Sequence, residues 1–268
     1  MRKRGLTQFV LSLTGYLIVA ACADSDNLQT DIVFDARYRD TSLACGVSFG
    51  PGHSLSLTDL RFYVADLAMR NANGAWISVA AATSKTGISL MDFEDASAEC
   101  ANGTEETNNR IPVIVPGGHY DGLRFTLGVP FELNHADPLA AEYPLNEPAM
   151  HWHWQSGYKF IRAGVRAGDR RWHVHLGSTG CEGPATAVTN CERPNRATVR
   201  IENWSPQEPI IVSIDALLSG ISLANAAGDH CLGDVAAPAC RAVMKNLGLD
   251  ADTGMATGAS SVFRTDSR

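Results

Sequence analysis

Short runs in which apolar and polar residues alternate recur along most of the chain. The longest run spans 57–69, and its candidate inward residues are Leu60, Phe62, Val64 and Leu67. Clusters of glycine, asparagine and proline separate the runs, as turns separate strands. Further strands are predicted at 31–38, 88–93, 110–115, 122–127, 158–165, 171–176, 197–201 and 210–215. So many short strands predict an all-β fold, namely a β-sandwich of two antiparallel sheets with disulfide-stapled loops.

One short segment near the C-terminus has the residue spacing of a helix. It covers residues 238–247, begins with a proline, and is followed by Gly248 as a natural stop. A turn of helix is also expected at 216–218. We find no internal repeat and no domain linker, so we predict a single domain over 31–250, a short C-terminal helix and a flexible tail over 251–268 in which Phe263 is the sole aromatic residue.

The first 22 residues are typical of a bacterial export signal. A basic start at 2–4 precedes an apolar stretch at 9–21 that is too short to remain as a membrane-spanning helix. The stretch ends in Val-Ala-Ala-Cys, which resembles a lipobox and predicts that Cys22 is lipid-modified. The alternative is an ordinary signal peptide in which Cys22 is incidental. We therefore predict a polar tether over 23–30 and a lipid-anchored protein of the periplasm or outer membrane.

Charge and cysteine content narrow the class of protein. The formal net charge of -7 argues against nucleic-acid binding, and a hydrophobic content of 45% is enough for a sizeable core. After Cys22, six cysteines remain, which in an exported chain predict three disulfides. Pairs close in sequence are Cys181–Cys191 and Cys231–Cys240, which leaves Cys45–Cys100. A thiolate metal site is the alternative, although no Cys-x-x-Cys spacing occurs.

Histidines are concentrated in the middle of the chain, among tryptophans. Five of the eight lie between 135 and 175: His135, His151, His153, His173 and His175. If 151–154 is extended, His151 and His153 point to one side of the strand, and Trp152 and Trp154 point to the other. Likewise, His173 and His175 point to the same side of their strand. Clustered imidazoles indicate a transition metal such as copper, zinc or iron. The plainer interpretation is that each histidine is an ordinary core or surface residue.

Catalytic patterns are weaker than this cluster, and we predict that the protein is not an enzyme. Residues 177–180 lack the Gly-x-Ser-x-Gly pattern, and no His-Glu-x-x-His motif occurs. The acidic residues Asp92, Glu94 and Asp95 fit an acid/base pair or a calcium-binding edge, but also a strand end and its turn. Two alternatives therefore stay open: a copper enzyme, and a metal-free binding module that stacks ligands on exposed tryptophans, Trp172 included.

Several long segments together resemble the MbnP family, also called the metallo-mystery pair four-Cys motif proteins. They cover roughly 31–250 and lie at 60–67, 90–108, 120–138, 144–160, 175–181 and 191–199. The resemblance implies an exported copper-binding β-sandwich. It also implies a partner, a MauG-like dihaem protein of the cytochrome c peroxidase family, that oxidises the first tryptophan of a Trp-x-Trp motif to kynurenine. In this chain that residue is Trp152.

The resemblance also implies a Cu(I) site that serves copper homeostasis and is made of two histidines and the kynurenine. Carried over to this sequence, the ligands are His135, His175 and modified Trp152. The chain departs from the family pattern because His151 and His153 flank Trp152, and because His53 and His173 are additional. These histidines add a ligand, replace one, or lie on the surface. Met150 is either a weak thioether ligand or a packing residue.

Overall fold

The computed structural model describes residues 27–153, 155–184, 187–223 and 230–266. The predicted export signal, its Cys22 and the second tryptophan of the motif, Trp154, lie outside the described residues. Within them, no helix is long and apolar enough to cross a membrane.

Strands dominate the structure, as the alternation predicts. The strands are β1 Asn27–Tyr38, β2 Thr41–Ser42, β3 Ser48–Phe49, β4 Leu55–Asn71, β5 Trp76–Ser78, β6 Ser89–Asp92, β7 Arg110–Pro116, β8 Tyr120–Leu127, β9 His151–His153, β10 Gly157–Tyr158, β11 Ile161–Ala167, β12 Arg170–Leu176, β13 Thr179–Glu182, β14 Asn190–Arg193, β15 Ala197–Glu202, β16 Ile210–Ser213 and β17 Phe263–Arg264. The α-helices are α1 Phe131–Asn134, α2 Ile214–Leu217 and α3 Pro238–Leu247; short 3-10 turns lie at Pro51–His53, Ala98–Cys100 and Pro148–Met150.

Two sheets form the sandwich and confirm the all-β prediction. The larger has the order β12-β11-β4-β8-β15, and β3, β5 and β6 also pair with β4. The smaller has the order β17-β16-β1-β2, and β7 also pairs with β1. Its β1 and β16 run parallel, which differs from the purely antiparallel prediction. Two separate hairpins, β9–β10 and β13–β14, carry the chemistry described below.

Aromatic side chains from both sheets meet in the core. Phe34 on β1 contacts Phe62 on β4 and Phe125 on β8 edge to face, with ring centroids 5.6 and 5.7 Å apart. Such pairs add to the stabilisation that comes from burying their apolar area. The predicted inward residues of β4, Leu60, Phe62, Val64 and Leu67, all belong to this core.

Strand β4 departs from simple alternation in two ways. Between Ala65 and Ala68 its pairing register with β8 shifts, and Asp66 adopts a positive φ of 51°. This bulge explains why the inward positions change from 64 to 67. Its opposite face is also buried, because Tyr63 packs in a second apolar cluster and Arg61 lies in a buried ionic network.

The two chain ends of the domain are more ordered than the sequence predicts. Residues 27–30, assigned to the tether, are part of β1 and pair with β7. The predicted flexible tail likewise contains β17, which pairs with β16 and places Phe263 against Phe125 at 5.3 Å. The tether and the flexible tail were both predicted from the polarity of the local sequence. In the structure, pairing with strands that are distant in sequence orders both segments.

Three disulfides join Cys45–Cys100, Cys181–Cys191 and Cys231–Cys240. The pairing is the one expected from the spacing. The second links directly opposed residues of β13 and β14, and the third ties the segment before α3 to that helix. Their sulfurs are thus engaged with one another, which excludes a thiolate metal site while the bonds are intact.

Candidate metal site

The β9–β10 hairpin presents Trp152. His151 pairs with Tyr158, and His153 pairs with Gly157. The hairpin is anchored from below because Tyr158 is buried and its hydroxyl donates to the Leu145 carbonyl at 2.7 Å. As predicted for an extended segment, 151 and 153 therefore lie on one side and Trp152 on the other.

The histidines within this hairpin stabilise its own structure. The His151 ring packs edge to face on Tyr158, with ring centroids 5.2 Å apart. At His153, Nδ1 accepts the amide N–H of Gln155 at 3.3 Å, and Nε2 lies 3.1 Å from the Ser156 hydroxyl. These contacts favour local structural roles for both rings over metal ligation.

Met150 precedes the hairpin and is fully buried. It belongs to the second apolar cluster, together with Tyr63, Tyr158 and Phe160. This position favours the packing interpretation of its thioether.

His135 lies at the C-terminal end of α1, directly against this hairpin. Its neighbour Asn134 accepts the Tyr158 amide N–H at 2.8 Å and donates to the Ser156 carbonyl at 3.2 Å. Gly157 makes the close approach feasible, because a Cβ there would lie 2.2 Å from the Asn134 carbonyl oxygen. The loop that carries His135 is thereby fixed to the segment that follows Trp152.

The His135 ring has an unusual set of neighbours. Its Nε2 lies 3.4 Å from Cys191 Sγ and 3.1 Å from Asn134 Nδ2. A disulfide sulfur only accepts a hydrogen bond, so the first contact requires a proton on Nε2, whereas the second requires a lone pair there. Among the described residues, Nδ1 is buried and has no hydrogen-bond partner. Burial also lowers the pKa of His135.

In this neighbourhood three residues of metal-binding types, one histidine and two cysteines, converge within the described part of the chain. Potential ligand atoms of His135, Cys181 and Cys191 lie within 4.8 Å of one another. Because the two cysteines form a disulfide, the imidazole is the metal donor that this group offers.

His175 lies on β12, and its backbone joins it to a second part of the site. Its amide N–H donates to the Cys231 carbonyl at 2.8 Å, and the Cys231 amide N–H donates to the His173 carbonyl at 3.1 Å. The rings of His173 and His175 are 4.9 Å apart, as expected for residues on one side of a strand. Burial first, and then the neighbouring His173, lower the pKa of His175 to about 3.

The sequence did not single out His230, which stacks on His173 with ring centroids 3.9 Å apart. Its Nδ1 accepts the His173 amide N–H at 3.3 Å, so its proton lies on Nε2. Its position next to Cys231 was the available signal. The disulfide segment brings this distant histidine to β12.

Trp152 reaches the same segment from the hairpin. A Cβ built on Gly233 would lie 3.6 Å from Cη2 of the Trp152 ring and 2.7 Å from Thr179 Cγ2. Gly233 has a φ of +80°, and the group that a Cβ there would crowd is Thr179, while the indole would stand at van der Waals distance. Segment 231–233 thus lies beside the Trp152 ring and is hydrogen-bonded to the backbone of His175.

Two positively charged side chains, Arg162 and Lys159, lie near His175. Arg162 on β11 is directly opposite His175 and forms an ion pair with the buried Asp59 at 2.5 Å. Lys159 precedes β11, and burial, followed by Arg162 and Arg61, lowers its pKa to about 8. Both cations contribute to the low pKa of His175.

The acidic run at 92–95 is a strand end and its turn. Asp92 ends β6 and accepts the Glu94 amide N–H at 3.0 Å, and Asp95 accepts from Ser97. Glu94 is fully buried and forms an ion pair with Arg61. Burial raises the pKa of Glu94 to about 7 and that of Asp92 to about 6. Glu94 therefore serves a buried ionic network, whereas Asp92 and Asp95 stabilise the turn.

Trp172 is 2% exposed and belongs to the core. The expectation that it stacks a ligand at the surface is wrong, because β12 turns its side chain inward. Trp152, in contrast, is half-buried.

Comparisons with known proteins agree with this architecture. The family model described as MbnP matches residues 27–233. Among solved structures, MbnP from Methylosinus trichosporium is similar, with a TM-score of 0.75 and 24% sequence identity over 88% of this chain and 97% of that chain. Among curated proteins, none matches significantly. The structural likeness shows a shared fold, and the family model spans well over half of the sequence: the chain belongs to the MbnP family.

Proposed function

We propose that this protein is an exported copper-binding protein that holds Cu(I) in copper homeostasis, rather than an enzyme. Its ligands are His135, His175 and Trp152 after conversion to kynurenine by a MauG-like dihaem partner. The observation that carries the proposal is the convergence on segment 231–233: the Trp152 ring lies beside Gly233, and the His175 backbone is hydrogen-bonded to Cys231. Family membership supports it independently.

His135 is chemically suited to be a ligand. In the tautomer that donates from Nε2 to Cys191 Sγ, the lone pair lies on Nδ1, the buried nitrogen that has no hydrogen-bond partner among the described residues. In the tautomer that accepts from Asn134 Nδ2, the lone pair lies on Nε2 instead. A buried polar atom without a partner is unfavourable, and a bound metal would remove that penalty. In the tautomer protonated on Nε2, Nδ1 is thus a nitrogen donor with no hydrogen-bond partner among the described residues.

His175 is suited for a different reason. Metal ligation requires a neutral imidazole, and a pKa of about 3 keeps this ring neutral throughout the physiological range. Copper therefore does not have to displace a proton from His175.

Trp152 needs modification before it can ligate. The indole nitrogen is a hydrogen-bond donor only, whereas kynurenine carries an aryl amine and a carbonyl. Two imidazoles and an amine form a nitrogen-rich site of low coordination number, which is suited to Cu(I). The half-buried position of Trp152 leaves part of its ring accessible to a partner enzyme.

The test compares protein produced with and without the dihaem partner. Peptide mass spectrometry is expected to find kynurenine at 152 only after co-production, and copper analysis is expected to find one copper per chain in that sample. Trp152→Phe should abolish copper uptake. Trp76→Phe is the matched control, because Trp76 lies on β5 among Arg70, Arg124 and Arg200. An unmodified Trp152 together with unchanged copper uptake would overturn the proposal.

A further inference from the structure

Three successive backbone carbonyls lead into Trp152, and each accepts a hydrogen bond from the segment 159–162. The Ala149 carbonyl accepts from Lys159 Nζ at 2.8 Å and from Arg162 Nη1 at 3.2 Å. The Met150 carbonyl accepts the Lys159 amide N–H at 2.7 Å, and the His151 carbonyl accepts from Lys159 Nζ at 3.0 Å. Lys159 therefore bridges two carbonyls that lie on either side of a buried methionine.

Both cations are themselves held in place. Arg162 is fixed by its ion pair with Asp59, which also accepts from Arg61. Lys159 is half-buried, and among the described residues no carboxylate lies within ion-pair distance of its ammonium group. Hydrogen bonds that involve a charged donor are about twice as strong as neutral ones. The backbone before Trp152 is consequently more constrained than the two-residue pairing of β10 would achieve alone.

The charge of these groups has a second effect on the site. Arg162 lies opposite His175 in the strand register, and the ammonium group of Lys159 is hydrogen-bonded to the carbonyl of His151, the residue before Trp152. Two positive charges placed beside the ligand-bearing segments oppose a second positive charge on a metal bound there. Asp59 forms an ion pair with Arg162, whereas within the described part of the chain Lys159 forms no ion pair with a carboxylate and feels Asp59 only at longer range.

We propose that Lys159, assisted by Arg162, is a positioning residue that fixes the strand before Trp152 and makes the site prefer Cu(I) over Cu(II). This inference rests on the proposed copper function. Lys159 is outside the proposed ligand set. Its two roles are to hold the hairpin backbone in place and to favour the lower oxidation state of the bound metal.

The first arm of the test uses metal-free protein. In Lys159→Met the stem is retained while the charge and both side-chain hydrogen bonds are lost. Amide hydrogen exchange at 151–153 should accelerate about tenfold or more. Arg166→Met is the matched control, because Arg166 lies on β11, the strand that Lys159 precedes, and forms an ion pair with Glu99 at 2.9 Å, away from the hairpin. It should leave exchange at 151–153 unchanged.

The second arm uses copper-loaded protein matured with the partner. The ratio of Cu(I) to Cu(II) affinity should fall about fivefold in Lys159→Met, and Lys159→Arg should restore it because the charge returns. Arg162→Lys provides a second variant that keeps the charge but loses the guanidinium group, which contacts Asp59 and the Ala149 carbonyl at once. If Lys159→Met does not fold, Arg162→Lys is expected to show the faster exchange with an unchanged affinity ratio.

The outcomes separate the two proposals. A wild-type protein that takes up no copper would refute the proposed function, while the exchange data would still decide the hairpin role of Lys159. Wild-type copper binding with exchange and affinity ratio unchanged in Lys159→Met would overturn the inference alone.

Discussion

Asn134 and Tyr158 are joined by a hydrogen bond of 2.8 Å from the Tyr158 amide to the Asn134 side-chain oxygen, across 24 residues of sequence. The same side chain donates to the Ser156 carbonyl and approaches His135 Nε2 at 3.1 Å. One buried amide thus connects the loop of a predicted ligand to the hairpin that carries Trp152. The distance between the two halves of the site depends on this residue.

Replacing Asn134 should therefore affect stability and copper binding together. Asn134→Ala leaves the buried Tyr158 amide unpaired, and a loss of about 1–3 kcal/mol in the free energy of unfolding is expected. Copper affinity should fall as well, because His135 is no longer fixed. Urea unfolding and copper titration measure the two effects. Asn246→Ala is the control, because its side chain donates to two carbonyls near α2, those of Leu217 and Ser219, and its loss should reduce stability alone.

Local sequence signals predicted much of the fold. Helix α3 has the predicted bounds because Pro238 begins it and the left-handed Gly248, with a φ of +83°, ends it. The alternation over 57–69 likewise predicted the inward residues of β4. The parallel pairing of β1 with β16 and the strand at Phe263 were not predictable, because they depend on contacts between residues far apart in sequence.

The candidate site was predictable to a similar extent. The segments that carry His135, Trp152 and His175 were visible as motifs. The structure joins the His135 loop to the β9–β10 hairpin, and it joins the strand of His175 to the disulfide segment that lies beside Trp152. Stacking of His230 on His173 was missed, because 57 residues separate the two. The roles of Asn134 and Lys159 were missed as well, since an asparagine or a lysine carries no spacing signal of its own.

Removing the disulfides one at a time should distinguish an effect on the stability of the fold from an effect on copper binding. In the chain-entropy description, stabilisation grows with the length of the closed loop, and the sequence separations are 55 for Cys45–Cys100 and 10 for Cys181–Cys191. Replacing the first pair by alanines should therefore reduce the free energy of unfolding by about 4 kcal/mol, and replacing the second by about 3 kcal/mol. Only the second pair contacts His135, so only its loss should weaken copper binding as measured on the folded fraction. Equal copper affinity in both double variants would contradict this assignment.

The low pKa of His175 predicts a pH-dependent contribution to the stability of metal-free protein. Below pH 6.5 the unfolded chain protonates this ring, whereas the folded ring stays neutral until about pH 3. Stability contributed by His175 is hence present above pH 6.5 and is lost as the pH falls towards 3. The stability difference between wild type and His175→Asn should narrow with falling pH, by at most about 1.4 kcal/mol per unit and by less where solvent screens the ring. Denaturant unfolding at pH 8, 6 and 5 checks this, and a constant difference would show that burial does not perturb the ring.

Gly233 offers the sharpest test of where Trp152 lies. Alanine at this position meets a left-handed backbone, at a penalty of about 1 kcal/mol, and its Cβ also overlaps Thr179 Cγ2 at 2.7 Å, while it stands at van der Waals distance, 3.6 Å, from the Trp152 ring. Gly74 is the matched control: its φ is +78°, and a Cβ there has nothing within 4 Å.

Gly74→Ala should therefore show the backbone penalty alone, and Gly233→Ala should lose about 1–3 kcal/mol more through overpacking. Copper uptake by partner-matured protein should fall in Gly233→Ala and stay at the wild-type level in Gly74→Ala, because only the first substitution forces segment 231–233 and Thr179 apart beside the ring at 152. Thermal unfolding and copper analysis of the two variants decide the matter. If both lose the same stability and both keep full copper uptake, the indole does not rest on segment 231–233, and the proposed ligand set would have to be abandoned.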